Sequence, residues 1–118
     1  MNTFGGRVQP GELRFDRVAS GDGVAYIALI GEIDMTTGDH LDQALARVLN
    51  EPGVSQLMLD LAQLWFMDSN GVSLLVTAQR TAHARGIVLG ILNVQDPVRL
   101  VLETLGVYSL LAVEDQRG

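Results

Sequence analysis

The hydrophobic pattern of this chain changes its period several times, and this alternation limits the folds that are possible. Residues 13–18 alternate apolar and polar side chains, as a half-buried strand does. A turn cluster at residues 20–23 and a nearly all-apolar stretch at 24–30 follow, and together they predict a hairpin whose second strand is central. Further along, the apolar positions recur with the spacing of one helical face, at Leu41, Ala44, Leu45, Val48 and Leu49.

The first helix and the segment after it have clear boundary signals. Thr36 or Thr37 is expected to cap the start of this helix, and residues 50–53, which contain proline and glycine, are expected to end it. Residues 56–61 are apolar and short, which predicts a buried strand. Residues 62–67 are predicted to form a loop, which carries Trp65, Phe66 and Met67.

The second half of the chain continues the alternation of helix and strand. A second helix is predicted from residue 69 or 70 to residue 85, and a strand over residues 87–92. Asp96 as a cap and Pro97 at the first helical position predict the start of a third helix. Residues 110–113 are expected to add a short strand or to pack as coil.

The predicted element order is therefore β-β-α-β-α-β-α, an α/β arrangement with one hairpin followed by alternating units. This order predicts a mixed sheet of four or five strands, parallel after the first strand, with helices covering it. Residues 12–114 are expected to form a single domain, preceded by a loose leader over residues 1–11 and followed by a polar tail over residues 115–118.

Two residue types that the sequence lacks exclude several kinds of chemistry. The chain has no cysteine, which excludes disulfides, thiolate nucleophiles and most structural zinc sites. It also has no lysine, which excludes a P-loop lysine and Schiff-base chemistry. With a net charge of −6 and scattered arginines, direct nucleic-acid binding is not expected. We therefore expect no cofactor, no metal site and no enzymatic activity.

The apolar runs of the sequence are too short for a membrane segment. They span only a few residues, whereas a helix that crosses a bilayer needs about 20. The first six residues have neither a basic start nor an apolar stretch, so no secretory signal is visible. We therefore expect a cytoplasmic protein without membrane contact.

The most informative motif is the Asp-Ser-Asn-Gly sequence at residues 68–71. Asp68 is a natural N-cap, because its carboxylate can accept hydrogen bonds from the free amides of the first helical turn. Ser69 is then expected at the exposed amino end of the helix, where free N–H groups and the helix dipole favour an anion. On the residues alone an Asp-Ser pair is usually a simple cap, although the position suits a phosphoserine.

The chain resembles the STAS family of bacterial anti-sigma-factor antagonists over roughly residues 13–113. Four segments carry the resemblance by their order and spacing, namely residues 29–34, residues 59–72, residues 86–89 and residues 97–107. The family commonly has Asp-Ser-Ser-Gly or Asp-Ser-Thr-Gly where this chain has Asn70 in the third place. The resemblance implies the STAS fold and a regulator of transcription that acts by partner switching in a stress or sporulation response.

The resemblance also implies partners and a modification site. Ser69 would be phosphorylated by a cognate anti-sigma-factor serine kinase, and a PP2C-type phosphatase would reset it, with the domain a monomer or weak dimer. The loop after residue 33 should lie beside Ser69, because both follow adjacent parallel strands at the same end of the sheet. The expected partner surface consists of Asp34, Met35, Thr36, Thr37, Gly38, Met67, Asp68, Asn70, Gly71 and Val72.

Several alternatives remain open at the level of sequence. Asp34 and Asp39 near Asp68 could form a metal or acid–base site, although cap and turn roles are more common. The histidines His40 and His83 have no ligand spacing, and a Ser-His-Asp triad is excluded because His83 lies about 20 Å along the helix from Ser69. Trp65 and Phe66 could be interface anchors, or they could pack against the protein.

Two other functions compete with the phosphorylation switch. The first is a STAS binding module that is not phosphorylated and belongs to a stress-signalling or lipid-transport complex. The second is a small enzyme or nucleotide binder, which the missing lysine and the missing Gly-rich phosphate loop disfavour.

Overall fold

The computed structural model describes residues 11–113, which form five strands and four helices. The predicted tail, and the predicted leader apart from Gly11, lie outside these described residues. The strands are β1 (Leu13–Gly21), β2 (Val24–Ile33), β3 (Gln56–Asp60), β4 (Leu64–Met67) and β5 (Val88–Leu92). The helices are α1 (Gly38–Leu49), α2 (Ser69–Ala84), α3 (Asp96–Thr104) and α4 (Tyr108–Leu111).

The strands form one mixed sheet in the order β1-β2-β3-β5, with β4 paired to the end of β2. The pair β1–β2 is antiparallel, whereas β3, β4 and β5 run parallel to their partners. Asp22 and Gly23 join the first two strands with φ of 56° and 83°, as a tight hairpin turn requires. The predicted mixed sheet with an N-terminal hairpin is therefore confirmed.

The loop predicted at residues 62–67 is partly wrong, because Leu64–Met67 forms the strand β4. Gly31 of β2 lies opposite Leu64 and Glu32 lies opposite Phe66, so Trp65 is an extra residue at a shift of register. Such an irregularity breaks the two-residue alternation by which a short strand is recognised. Leu64 and Met67 are buried while the two aromatic residues between them are half-exposed.

Two helix starts and the end of the described chain differ in detail from the predictions. Thr37 is the N-cap of α1, but its side chain makes no capping hydrogen bond there. In α3 the N-cap is Gln95, so Asp96 is the first helical residue instead of the cap. The carboxylate of Asp96 still lies where the helix dipole favours a negative charge. Residues 108–111 form a short helix, and Ala112 then makes a single parallel bridge to Ile91.

The core lies between the helices and one face of the sheet. Ile27, Leu59 and Ile91 are neighbours across β2, β3 and β5, and all three side chains are buried. Other fully buried side chains come from the helices, at Leu41, Leu75 and Leu102. Twelve large side chains are fully buried in the described residues, and their burial at about 1.5–3 kcal/mol each is the main stabilising contribution. Among residues 11–113, no helix combines the length and apolar character that a membrane span needs.

Candidate functional site

The loop after β2 and the start of α2 lie together at one edge of the sheet. Ile33 and Met67, the last residues of β2 and β4, are paired in register. The Asp68 N–H donates to the Ile33 carbonyl at 3.2 Å, which fixes the turn before α2 to the end of β2. The expectation that these two segments are neighbours is therefore correct, and it follows from their parallel strands.

Asp68 caps α2 as the sequence predicted. Its backbone is extended, and its Oδ1 accepts a hydrogen bond from the Gly71 N–H at 2.9 Å. Ser69 is the first residue of the helix, and its side chain is exposed. The N–H groups of Ser69 and Asn70 belong to the first turn, where no preceding carbonyl is within reach. An anion attached to Ser69 would therefore meet unsatisfied donors and the positive end of the helix dipole.

Asp34 holds the neighbouring loop in a fixed conformation. Its Oδ1 accepts from the Thr36 N–H at 2.8 Å, from the Thr36 hydroxyl at 2.7 Å and from the Thr37 N–H at 3.2 Å. The Thr36 hydroxyl is the largest cause that lowers the pKa of Asp34, and the backbone amides add to it. The carboxylate is therefore ionised at neutral pH, and its Oδ2 makes no hydrogen bond within residues 11–113.

Thr37 is buried beneath this loop. Its hydroxyl donates to the Glu32 carbonyl at 3.1 Å and accepts from the Asp34 N–H at 3.0 Å. These bonds satisfy a buried polar group and close the loop against the end of β2. The loop therefore presents Met35 and Thr36 to solvent from a rigid base, and Met35 is 79% exposed.

Two glycines of the site lie close to neighbouring side chains, and the approach is closest at Gly71. A Cβ on Gly71 would lie 2.6 Å from Ile33 Cγ2 and 2.9 Å from Met67 Cγ. A Cβ on Gly38 would lie 3.2 Å from Leu74 Cδ1 and 3.5 Å from Asn70 Nδ2. The first glycine lets α2 start directly against the sheet. The second lets the start of α1 approach α2.

The residues predicted to form the partner surface differ in how far their side chains are exposed. Met35, Thr36 and Asn70 are exposed, and Asp34 and Asp68 are half-buried. Five others are buried, namely Thr37, Gly38, Met67, Gly71 and Val72. The prediction that Met67 and Val72 supply apolar contacts to a partner is wrong, because their side chains are only 2% and 4% exposed and pack in the core.

The structure also brings forward residues that the sequence prediction did not include. A hollow of about 350 Å³ opens between α1 and α2 beside the site. It is lined by Met35, Gly38, Asp39, Asp42, Asn70, Ser73, Leu74 and Thr77. One signal in the sequence could have indicated it, since Ser69, Ser73 and Thr77 are spaced four apart and so share a helical face.

The other sequence candidates have structural explanations. Within residues 11–113 no group of three acidic or histidine side chains is placed to hold a metal ion. His40 and His83 are both exposed, on α1 and α2 respectively. Trp65 and Phe66 are 45% and 44% exposed, and the indole N–H of Trp65 donates to Glu32 Oε2 at 3.0 Å. The aromatic pair is therefore partly packed and partly open to solvent.

The STAS domain model matches residues 17–117, so the chain belongs to the STAS-domain family. The chain is 25% identical over 93 residues to the anti-sigma F factor antagonist of Paenibacillus polymyxa, with 79% of this chain and 80% of that protein covered.

Solved structures with the same architecture support the fold. An anti-sigma factor antagonist from Mycobacterium paratuberculosis matches with a TM-score of 0.77 and 23% identity, covering 92% of each chain. SpoIIAA in its unphosphorylated form matches with a TM-score of 0.72 and 22% identity, covering 88% of this chain and 91% of its own. The STAS domain of a SulP transporter from Vibrio cholerae matches with a TM-score of 0.60 and 22% identity, covering 80% and 72%. The predicted STAS fold is confirmed.

Proposed function

We propose that this domain is an anti-sigma factor antagonist that is switched off by phosphorylation of Ser69. In its unphosphorylated form it binds a cognate anti-sigma factor, which is a serine kinase, and thereby frees a sigma factor for RNA polymerase in the cytoplasm. The observation that carries this proposal is the exposed Ser69 at the capped start of α2, in a domain of the STAS family. The antagonist from Paenibacillus polymyxa, which matches over most of both chains, adds support.

The proposed partner surface consists of the exposed and half-buried part of the predicted set. Asp34 contributes its free Oδ2 as an acceptor for a cationic group, since Oδ1 is used within the loop. Met35 contributes an exposed apolar side chain, and Thr36 and Asn70 contribute exposed polar side chains. The buried residues of the predicted set support this surface by fixing its backbone, namely Thr37, Gly38, Met67, Gly71 and Val72. Asp68 supports it by capping α2.

Phosphorylation transfers the γ-phosphoryl group of ATP to Ser69 Oγ. The O–P bond forms as the bond to ADP breaks, and the hydroxyl proton leaves with the kinase's base. The product adds about −1.5 to −2 charge, which the free amides of the first turn accommodate without unfolding. Inside a closed interface the same charge is removed from water without an opposite charge beside it, which costs on the order of 3–5 kcal/mol. Affinity then falls on the order of a hundredfold or more, and hydrolysis by a PP2C-type phosphatase restores it.

The test uses the full chain and the purified anti-sigma-factor kinases of the source genome. We expect one kinase to bind the wild type and Ser69→Ala with similar affinity and to bind Ser69→Asp on the order of a hundredfold more weakly. Ser109→Asp on α4 is the matched control, because Ser109 is exposed and is not among the proposed contacts. With ATP, the kinase should add a single phosphate, which mass spectrometry should locate on Ser69.

Equal binding by Ser69→Ala and Ser69→Asp would contradict the switch. A wild-type chain that binds no kinase would contradict the proposed function as a whole. The second candidate function is a STAS module that binds a partner without phosphorylation, which the likeness to the transporter's STAS domain favours. Binding of a kinase without phosphate transfer to Ser69 would support that alternative.

A further inference from the structure

We propose that the groove between α1 and α2 receives an arginine or lysine side chain of the anti-sigma factor, held by Asp39 and Asp42. This inference rests on the proposed function, because it concerns the same partner. It adds a second region of contact to the loop at residues 34–37 and the start of α2. It also assigns a role to two carboxylates on α1 that the sequence prediction did not place at the interface.

The groove is large enough for a long side chain and is open to solvent. It has a volume of about 350 Å³ and lies between the start of α1 and the first three turns of α2. Leu74 is half-buried and forms an apolar part of the lining, while Ser73 and Thr77 provide hydroxyl groups. An aliphatic stem ending in a cation suits this combination, because the stem packs on apolar surface while the charge reaches polar groups.

The negative charge of the groove favours a basic side chain as its occupant. Asp39 and Asp42 are exposed, and neither makes an ion pair or side-chain hydrogen bond within residues 11–113. None of the residues that line the groove is basic. Arg85, at the other end of the same helix pair, donates to Asn50 Oδ1 at 2.6 Å and lines a separate, smaller hollow. Asp39 and Asp42 therefore have no cation beside them from residues 11–113, and a basic partner group is complementary to them.

The groove is continuous with the proposed partner surface. Met35 and Asn70, which flank the loop and the phosphorylation site, are also part of its lining. Gly38 lets α1 approach α2 closely at this point, with the Asn70 amide lying over it. A partner that covers Ser69 and Met35 therefore also covers the mouth of the groove.

The experiment compares Asp39→Asn/Asp42→Asn with the wild type in binding to the kinase that the wild type recognises. The change removes two charges and almost no volume. We expect affinity to fall about tenfold or more and to depend less steeply on salt, because a charge-paired contact is lost. Asp22→Asn is the matched control, since Asp22 is exposed in the hairpin turn and asparagine tolerates its positive φ. This control should bind as the wild type does.

The outcomes separate the groove from the switch. Wild-type affinity and salt dependence in Asp39→Asn/Asp42→Asn would overturn the groove inference and leave the proposed function standing. Weakened binding of this variant together with unchanged binding of Ser69→Asp would support the groove and overturn the switch. If the wild type binds no kinase, both proposals fail. Thermal unfolding of Asp39→Asn/Asp42→Asn should shift only slightly, because neither carboxylate has a side-chain partner within residues 11–113 and the loss is confined to the interaction of Asp39 with the amino end of α1.

Discussion

Gly71 sets how closely the start of α2 lies against the sheet. The two groups nearest to its missing Cβ, Ile33 Cγ2 and Met67 Cγ, belong to buried side chains that have no open space to move into. Because Asp68 caps α2 through the Gly71 N–H, the same residue also takes part in the cap. Gly71 is therefore a steric requirement for the position of α2 and of Ser69, the proposed phosphorylation site.

Gly71→Ala is expected to destabilise the domain. Alanine in place of a helical glycine would gain about 1 kcal/mol from helix propensity. Overpacking against Ile33 and Met67 costs about 1–3 kcal/mol and outweighs that gain. Urea denaturation should show this net loss. Gly21→Ala is the control, because a Cβ there meets nothing within 4 Å. A Gly71→Ala protein as stable as the wild type would contradict the close packing of α2.

The Asp34 carboxylate is expected to make the stability of the folded domain depend on pH. Its pKa is lowered by the Thr36 hydroxyl first and then by backbone amides, so the ionised carboxylate stabilises the folded loop. A lowered pKa in the folded state means that this stabilisation is fully present above about pH 4, the ordinary aspartate range, and is lost as pH falls through the lowered value. The stability difference between wild type and Asp34→Asn should therefore shrink below about pH 4.

Urea denaturation from pH 2 to pH 7 measures this difference, and NMR titration of the Asp34 carboxyl carbon reports its pKa directly. Thr36→Val removes the largest cause and should return the Asp34 pKa toward its ordinary range. If the free energy of unfolding fell by the same amount at acid pH in wild type and Asp34→Asn, this would show that the carboxylate does not hold the loop.

At the scale of elements, β4 connects the sheet to Ser69, the proposed phosphorylation site. It pairs with the end of β2 and leads through Asp68 directly into α2. Leu64 and Met67 are buried, while Trp65 and Phe66, which lie between them, are half-exposed. The strand therefore positions Ser69 even though it is only four residues long.

In β4, truncation of a buried side chain is expected to cost more stability than truncation of a larger side chain that is half-exposed. Leu64→Ala should cost about 2–5 kcal/mol, because the side chain is fully buried. Phe66→Ala removes a larger side chain but should cost only about 1–1.5 kcal/mol, since nearly half of the ring is exposed. Urea denaturation of the two variants measures the order. A larger loss for Phe66→Ala would contradict the assigned strand and its orientation.

At the scale of the whole molecule, parallel topology gathers the site at one end of the sheet. The strands β2 and β4 both end there, so two segments that are more than thirty residues apart in sequence become neighbours. The hairpin turn at Asp22 lies at the other end of β2. The proposed contacts occupy one end of the domain, which leaves the rest of the surface free of that function.

The sequence predicted most of this arrangement because the long elements have regular periods. Helices α1 and α2, the hairpin and the parallel strands follow from apolar spacing and turn residues, and the proximity of Asp34 to Ser69 follows from strand order. The strand β4 escaped prediction because Trp65 interrupts its alternation. The groove escaped prediction because it depends on the distance between two helices, which the spacing of residues along the chain does not give.

The hydrogen bond between the Asp68 N–H and the Ile33 carbonyl has a consequence for timing. It anchors the turn that carries Ser69 to a strand end, so under the proposed switch a phosphate would change the surface of this turn while the attachment to the sheet stays in place. The delay between a signal and its response would then be set by the turnover of the proposed kinase and phosphatase and by dissociation of the complex.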